Sequence, residues 1–232
     1  MQAVILAGGL ATRMRPRSLH LPKSLLPVAG RPFIAWQLER IADSGFSRVL
    51  LCIGHLGHTI REFVGDGGAF GVKIDYSDEG ENLLGTAGAL RRALPRLSES
   101  FLVTYGDSYL SFDYSAPLRD LDAHPDAQGT MAVFQNQGRW ESSNTTVEGD
   151  LVLRYEKGSR DPALDHIDYG ATALRRGVVA ALTPDQPLGL DSIQADLARR
   201  RLLRAWLAHE RFYQIGSDEG LRDLDDLLGG KA

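Results

Sequence analysis

The chain has 232 residues and a formal net charge of −4, with 43% hydrophobic and 24% charged residues. These are proportions of a globular protein long enough to bury a sizeable core, and the acidic balance excludes a general nucleic-acid binder. The single cysteine, Cys52, excludes an internal disulfide and fits a cytoplasmic protein; no apolar run has the length of a membrane span, and the N-terminus runs into a strand without a charged-then-apolar leader.

Residues 3–7 are apolar and rich in branched side chains, which predicts a buried strand. Gly8 and Gly9 end it. Two glycines let the backbone turn sharply and bring amide N–H groups to a ligand with no side chain between. Thr12, Arg13 and Arg15 follow, and Lys23 comes ten residues past Arg13, with Pro16, Pro22 and Pro27 stiffening the loop. A turn donating N–H groups, followed by fixed cations, is what a polyphosphate needs. The glycines are not spaced G-x-G-x-x-G, and no G-x-x-x-x-G-K-[ST] occurs, so a dinucleotide fingerprint and a P-loop are both excluded.

Residues 32–43 have helical period and stop before Gly45. Residues 49–53 read as a second buried strand, 58–64 as a short helix, 72–76 as a third strand, 85–94 as a helix and 101–105 as a fourth strand. Strands alternating with helices predict a Rossmann-like, mostly parallel mixed sheet with helices on both faces. Ligands on such sheets bind beyond the carboxyl ends of the strands. Gly8, Gly80 and Asp107 all follow predicted strand ends, so they are expected on one rim.

The second half reads as a strand at 130–135, a hairpin at 144–155 turning at Gly149 and Asp150, and a strand at 167–174. A helix follows at 191–200 with Asp191 as N-cap, then short strands at 202–207 and 211–215. Ser217 caps a last helix at 218–228. No linker divides the chain. One α/β domain is expected, with a nucleotide-binding half over residues 1–110 and a small acceptor-side lobe within 111–232.

Asp107 places a carboxylate at a strand end over the polyphosphate site, where magnesium would take a few carboxylate oxygens plus substrate phosphates. A turn or cap aspartate is the alternative. The segment Leu84-Gly85-Thr86-Ala87-Gly88-Ala89 opens a helix whose free N–H groups and small residues leave room for a flat base. His55 and His58 are three apart and lack a third zinc ligand, and no Gly-x-Ser-x-Gly nucleophile elbow occurs.

The first thirty residues resemble the signature of the sugar-1-phosphate nucleotidylyltransferases: a strand, Leu6-Ala7-Gly8-Gly9, Thr12-Arg13, Arg15-Pro16, then Pro22-Lys23. The resemblance extends more thinly towards the C-terminus. It implies that Leu6, Ala7, Gly8, Gly9, Thr12, Arg13, Glu79, Gly80, Gly85, Thr86 and Ala87 bind the nucleotide. It further implies that Arg13, Lys23 and Asp107 are catalytic and that Asp107 holds metal. Glu156 and Lys157 resemble the family's Glu-Lys pair for sugar hydroxyls and sugar phosphate, with Gly158 where proline is usual; an exposed surface ion pair is the alternative. Asn144, Asp168 and Gly170 resemble two further acceptor-site elements, with Asp168-Tyr169-Gly170 standing for the usual Asn-Ala-Gly. Gln214 stands where the family carries a second metal aspartate, and its amide oxygen ligates without charge.

The implied activity is magnesium-dependent transfer of a nucleotidyl group from a nucleoside triphosphate to a sugar 1-phosphate, with no nucleic-acid or membrane partner. Arg13 would neutralise the leaving pyrophosphate, and Lys23 would bridge the acceptor phosphate and the α-phosphate. The short length and the segments Leu84 to Gly88 and Phe212 to Gly216 look most like heptose-1-phosphate guanylyltransferases and muramate-1-phosphate uridylyltransferases. GTP with a heptose or hexose 1-phosphate is the expected pair. UTP or dTTP, a cytidylyltransferase for a small non-sugar phosphate, and a silent nucleotide-sugar sensor are the alternatives.

Overall fold

The five buried residues of β1 (Gln2–Leu6) send their side chains alternately to two cores, one on each face of a sheet. The computed structural model describes residues 1–9, 21–137 and 139–230. Thr12, Arg13, Arg15 and Pro16 therefore lie outside the described residues. A 3-10 turn at Lys23–Leu25 leads into a small ribbon, β2 (Pro27–Val28) with β3 (Arg31–Pro32), and then α1 (Phe33–Asp43). Next come β4 (Arg48–Ile53), α2 (Gly57–Val64), β5 (Lys73–Asp78), α3 (Gly85–Ala93) and β6 (Ser100–Tyr105). The second half holds β7 (Ser108–Tyr109), α4 (Ala116–Ala123), β8 (Gly129–Gln135), β9 (Thr145–Glu148), β10 (Leu151–Tyr155) and β11 (His166–Arg175). It ends with α5 (Arg176–Ala180), α6 (Leu190–Arg199), β12 (Leu203–Ala208), β13 (Tyr213–Gln214) and α7 (Asp218–Gly229).

Among the described residues nine strands form one sheet in the order β5-β4-β1-β6-β11-β8-β12-β10-β9. The first four are parallel, as buried strands joined by helical crossovers must be. Beyond β6 the sheet turns mixed: β11 runs antiparallel to both neighbours, β12 is parallel to β8, and the β9–β10 hairpin closes the edge. Helices α1, α2 and α4 cover one face through Ile34, Leu38, Ile41, Ile60, Val64, Leu118 and Leu121. Helices α3, α5 and α6 cover the other through Leu90, Ala93, Val179, Ile193 and Leu197. A third cluster packs α7 through Leu224 and Leu228 onto Val28, Phe33, Tyr109 and Ile215. Among the described residues no helix is long and apolar enough to cross a membrane.

Two local expectations need correction. Gly189, with extended backbone, is the N-cap of α6, and Asp191 sits one residue inside its first turn, where a carboxylate favours the helix dipole. The segment 211–215 pairs for only two residues, and it pairs with β7 in a separate ribbon rather than with the main sheet. By contrast Ser217 does cap α7, its hydroxyl accepting the Gly220 N–H at 3.0 Å. Helices α4 and α5 and strands β2, β3 and β7 were not read from the sequence; the ribbon strands pair for two residues each, too few to establish a period.

Candidate active site

The chain leaves β1 for β4 on one side and returns, through α3, to β6 on the other. The carboxyl ends of β1 and β6 therefore flank the topological switch point, with Leu6 beside Tyr105 in register. The turns that follow are fitted to one another. A Cβ on Gly8 would stand 3.2 Å from the Gly54 nitrogen and 3.2 Å from Glu79 Oε2. A Cβ on Gly106 would stand 3.0 Å from that of Ala7, and the Gly106 N–H donates to the Leu6 carbonyl at 2.9 Å. The glycines thus let two backbone turns meet without side chains between them.

These turns open onto a cleft of about 230 Å³ lined by Leu6, Ala7, Gly8, Gly9, Lys23, Ser24, Cys52, Glu79, Leu83, Gly85, Thr86, Ala89, Tyr105, Gly106 and Asp107. Lys23 Nζ donates to Asp107 Oδ2 at 2.8 Å. The buried Gln37 amide donates to the Tyr105 carbonyl at 2.8 Å and the Ser108 carbonyl at 3.1 Å, clasping the turn that carries Asp107 on both sides. Across the ribbon, Gln214 is in register with Ser108, and the Ile215 N–H donates to the Asp107 carbonyl at 3.0 Å. The Gln214 Oε1 atom and Lys23 Nζ both lie 3.8 Å from the point a Cβ on Gly216 would occupy. The carboxylate is bonded to the lysine, and the amide oxygen stands near Gly216 beside it.

On the other wall, Glu79 is buried and its Oε1 accepts the Leu84 N–H at 2.9 Å, which closes the loop before α3. Burial pushes its carboxyl above the usual range, against the pull of that N–H. Burial, helped by Glu79, holds the Cys52 thiol at about 12, so it is an inert part of the wall. Gly80 has φ +61 and makes the turn beneath, its N–H donating to Asp78. The start of α3 is less open than its glycines suggest. Ala87 and Gly88 give their N–H groups to the Leu188 carbonyl, and the Thr86 hydroxyl accepts from Leu190. Ala87 is fully buried and supports the wall from behind, whereas Gly85 and Thr86 face the cleft.

Beyond Tyr105 the rim continues into β11. A bulge between Asp168 and Thr172, with Gly170 at φ +82, breaks the pairing with β8. Asp168 Oδ1 accepts the Gly170 N–H at 2.9 Å, and Oδ2 accepts from the Tyr155 hydroxyl at 3.2 Å. The Asn144 amide oxygen accepts the Asp168 N–H at 2.9 Å, joining the hairpin to this corner. Lys157 Nζ stands 3.8 Å from Asp191 Oδ1. Burial raises the Asp168 carboxyl above its usual range, while its N–H and hydroxyl donors and Lys157 oppose that rise.

A family model described as nucleotidyl transferase matches residues 2–160. The chain belongs to the nucleotidyl transferase family. It is 42% identical over 127 residues to the N-acetylmuramate alpha-1-phosphate uridylyltransferase of Neisseria meningitidis, covering 54% of this chain and 55% of that one. The match thus spans about half the length of that relative. Against the D-glycero-alpha-D-manno-heptose 1-phosphate guanylyltransferase of Campylobacter jejuni it is 35% identical over 220 residues, with 94% and 96% covered. Its fold is that of HddC from Yersinia pseudotuberculosis, solved as a complex with GMP-PN: TM-score 0.79 at 24% identity, covering 98% of this chain and 99% of that one.

Within this nucleotidyl transferase, Glu156 is held by a neighbouring guanidinium. Both its oxygens are taken by Arg154, at 2.6 and 2.9 Å, and Arg154 also reaches Asp161 at 2.7 Å. The guanidinium holds the Glu156 carboxyl below its ordinary range. The contact arises because Arg154 lies two residues before Glu156, where side chains share one face of an extended strand. Sequence reading passed over Gln37, Tyr155 and Gln194, whose roles depend on long-range pairing. Only the placing of an uncharged amide among the apolar residues of a helix face hints at the two glutamines.

Proposed function

We propose that this protein transfers a nucleotidyl group from a nucleoside triphosphate to a sugar 1-phosphate, releasing pyrophosphate. The observation that carries the reading is the Lys23–Asp107 pair, set opposite the Gly8 turn at the switch point of the sheet. The acceptor phosphate oxygen attacks the α-phosphorus in line, and the bond to the bridging oxygen of pyrophosphate breaks. Both reactants are anions, so the protein's part is positioning and charge neutralisation. The Gly8 and Gly9 backbone admits the triphosphate, Lys23 lies where both phosphates converge, and Arg13, from the family resemblance, takes the pyrophosphate. Asp168 and Asn144 face the sugar.

The donor set fits magnesium. Among the described residues no group of three or more His, Cys, Asp or Glu could enclose a metal. One carboxylate and one amide oxygen suit an ion that draws its remaining ligands from water and phosphate. Asp107 and Gln214 would hold it, and it would screen the phosphate charge. Gln214→Asp is expected to lower the magnesium concentration for half-maximal rate by about tenfold, through the added charge. A magnesium titration of initial rate checks this; an unmoved midpoint removes Gln214 from the coordination shell.

We infer GTP with a heptose or hexose 1-phosphate as the substrate pair. The supporting likeness is to the Campylobacter guanylyltransferase, which runs the length of both chains. UTP is the second reading, favoured by the higher identity to the Neisseria uridylyltransferase over about half of the chain. Pyrophosphate release, measured for four triphosphates against a panel of sugar 1-phosphates, decides. Product with UTP or dTTP and none with GTP overturns the base assignment, and no product with any pair overturns the activity.

A further inference from the structure

Helix α6 buries Leu190, Ile193 and Leu197 against the sheet, and among them lies Gln194, only 1% exposed. Its Nε2 donates to Thr172 Oγ1 at 2.9 Å and to Asp168 Oδ2 at 3.3 Å. Its amide oxygen is buried with no hydrogen-bond partner among the described residues. A buried, unpartnered amide oxygen costs stability that a leucine of similar volume would not. Packing therefore does not account for glutamine at this position, whereas its two donated hydrogen bonds do.

The second support of Asp168 is Tyr155, itself 6% exposed, whose hydroxyl reaches the same Oδ2. With the Gly170 N–H on Oδ1, three donors among the described residues engage the carboxylate. A carboxylate has about four acceptor directions, so these donors leave one for a ligand. We propose that Gln194 and Tyr155 are positioning residues that fix the Asp168 carboxylate with a single free acceptor direction, and that this direction selects one hydroxyl of the sugar 1-phosphate. The proposal rests on the acceptor reading given above. An asparagine at 168 could donate or accept, whereas the clamped carboxylate, in its ionised form, only accepts. The site therefore demands a hydrogen-bond donor on the sugar at that point and rejects its deoxy or O-methyl analogue.

The charged and titratable groups around Asp168 are Lys157, which favours its anion, and Asp191, Asp107, Tyr105 and Tyr155, whose fields or hydroxyls meet at the same corner. Removing a donor to the anion raises a carboxyl pKa. Gln194→Met and Tyr155→Phe should each raise the KM for the sugar 1-phosphate about tenfold, as for a lost hydrogen bond to a charged group, with kcat and the KM for the triphosphate held within about twofold. Against a set of monodeoxy sugar 1-phosphates, the wild type should discriminate against one isomer, and both variants should discriminate less against that isomer. Equal rises in both KM values, or none, would overturn the proposal.

A second readout is independent of turnover. In protein labelled with 13C at aspartate carboxyls, with the Asp168 signal assigned through Asp168→Asn, the titration midpoint of Asp168 should rise in both variants. An unmoved midpoint sinks the clamp whatever the kinetics. A wild type that turns over no sugar 1-phosphate, with a midpoint that does move, sinks the acceptor reading and leaves the clamp standing. If Gln194→Met fails to fold, Tyr155→Phe carries both measurements.

Discussion

Asp107→Ala is expected to lower turnover at saturating substrates by about 1000-fold or more, with the fold retained. The turn that carries Asp107 does not depend on its side chain. It is held by the Gly106 N–H on Leu6, by the Ile215 N–H on the Asp107 carbonyl, and by the Gln37 amide on the carbonyls of Tyr105 and Ser108. All of these survive truncation at Cβ. The pair is part-buried, with Lys23 20% and Asp107 28% exposed, so breaking it costs more than the ~1 kcal/mol of an exposed pair and less than the roughly 3 kcal/mol of a buried one. A thermal melt should therefore shift by only a few degrees while magnesium-dependent pyrophosphate release disappears. Asp107→Asn keeps the shape and loses the charge, and should fall between the two. Turnover in Asp107→Ala within tenfold of the wild type would remove Asp107 from the metal site.

The contrast between Asp107 and Asp168 shows which features a linear reading reaches. Asp107 follows a buried strand within a glycine turn, and its place on the rim follows from strand polarity alone. So does that of Gly8, because βα repetition fixes where the carboxyl ends lie. Asp168 sits in a bulge on an antiparallel strand, and its surroundings come from α6, β10 and the loop at Asn144. No local pattern brings those segments together. The same limit applies at the start of α3, where the N–H groups read as free are taken by Leu188, about a hundred residues onward. Glu156 shows the converse. A short-range partner, Arg154, claims both oxygens of a residue whose motif position pointed to sugar.

Lys23→Ala is expected to cut kcat by about 100-fold, the loss that follows removal of one charge stabiliser from a site that excludes water. The 3-10 turn around it is anchored by the buried Ser24 and Leu25 and by backbone hydrogen bonds from Leu25 to Pro22 and from Leu26 to Lys23. The variant should therefore fold. Its metal dependence should move the opposite way from its rate. Lys23 Nζ occupies Asp107 Oδ2 at 2.8 Å, so the ammonium competes with a metal ion for that oxygen and also repels it. Removing it should lower the magnesium concentration for half-maximal rate even as kcat falls, while the KM for the triphosphate shifts by a few-fold at most. Lys23→Arg should recover little, because a planar guanidinium cannot serve two converging phosphates from the position of a compact ammonium. Rate and magnesium titrations on one preparation separate the roles. A lower magnesium midpoint with unchanged kcat would make Lys23 only the resting counter-ion of Asp107, and the charge that bridges the two phosphates would have to come from elsewhere in the cleft.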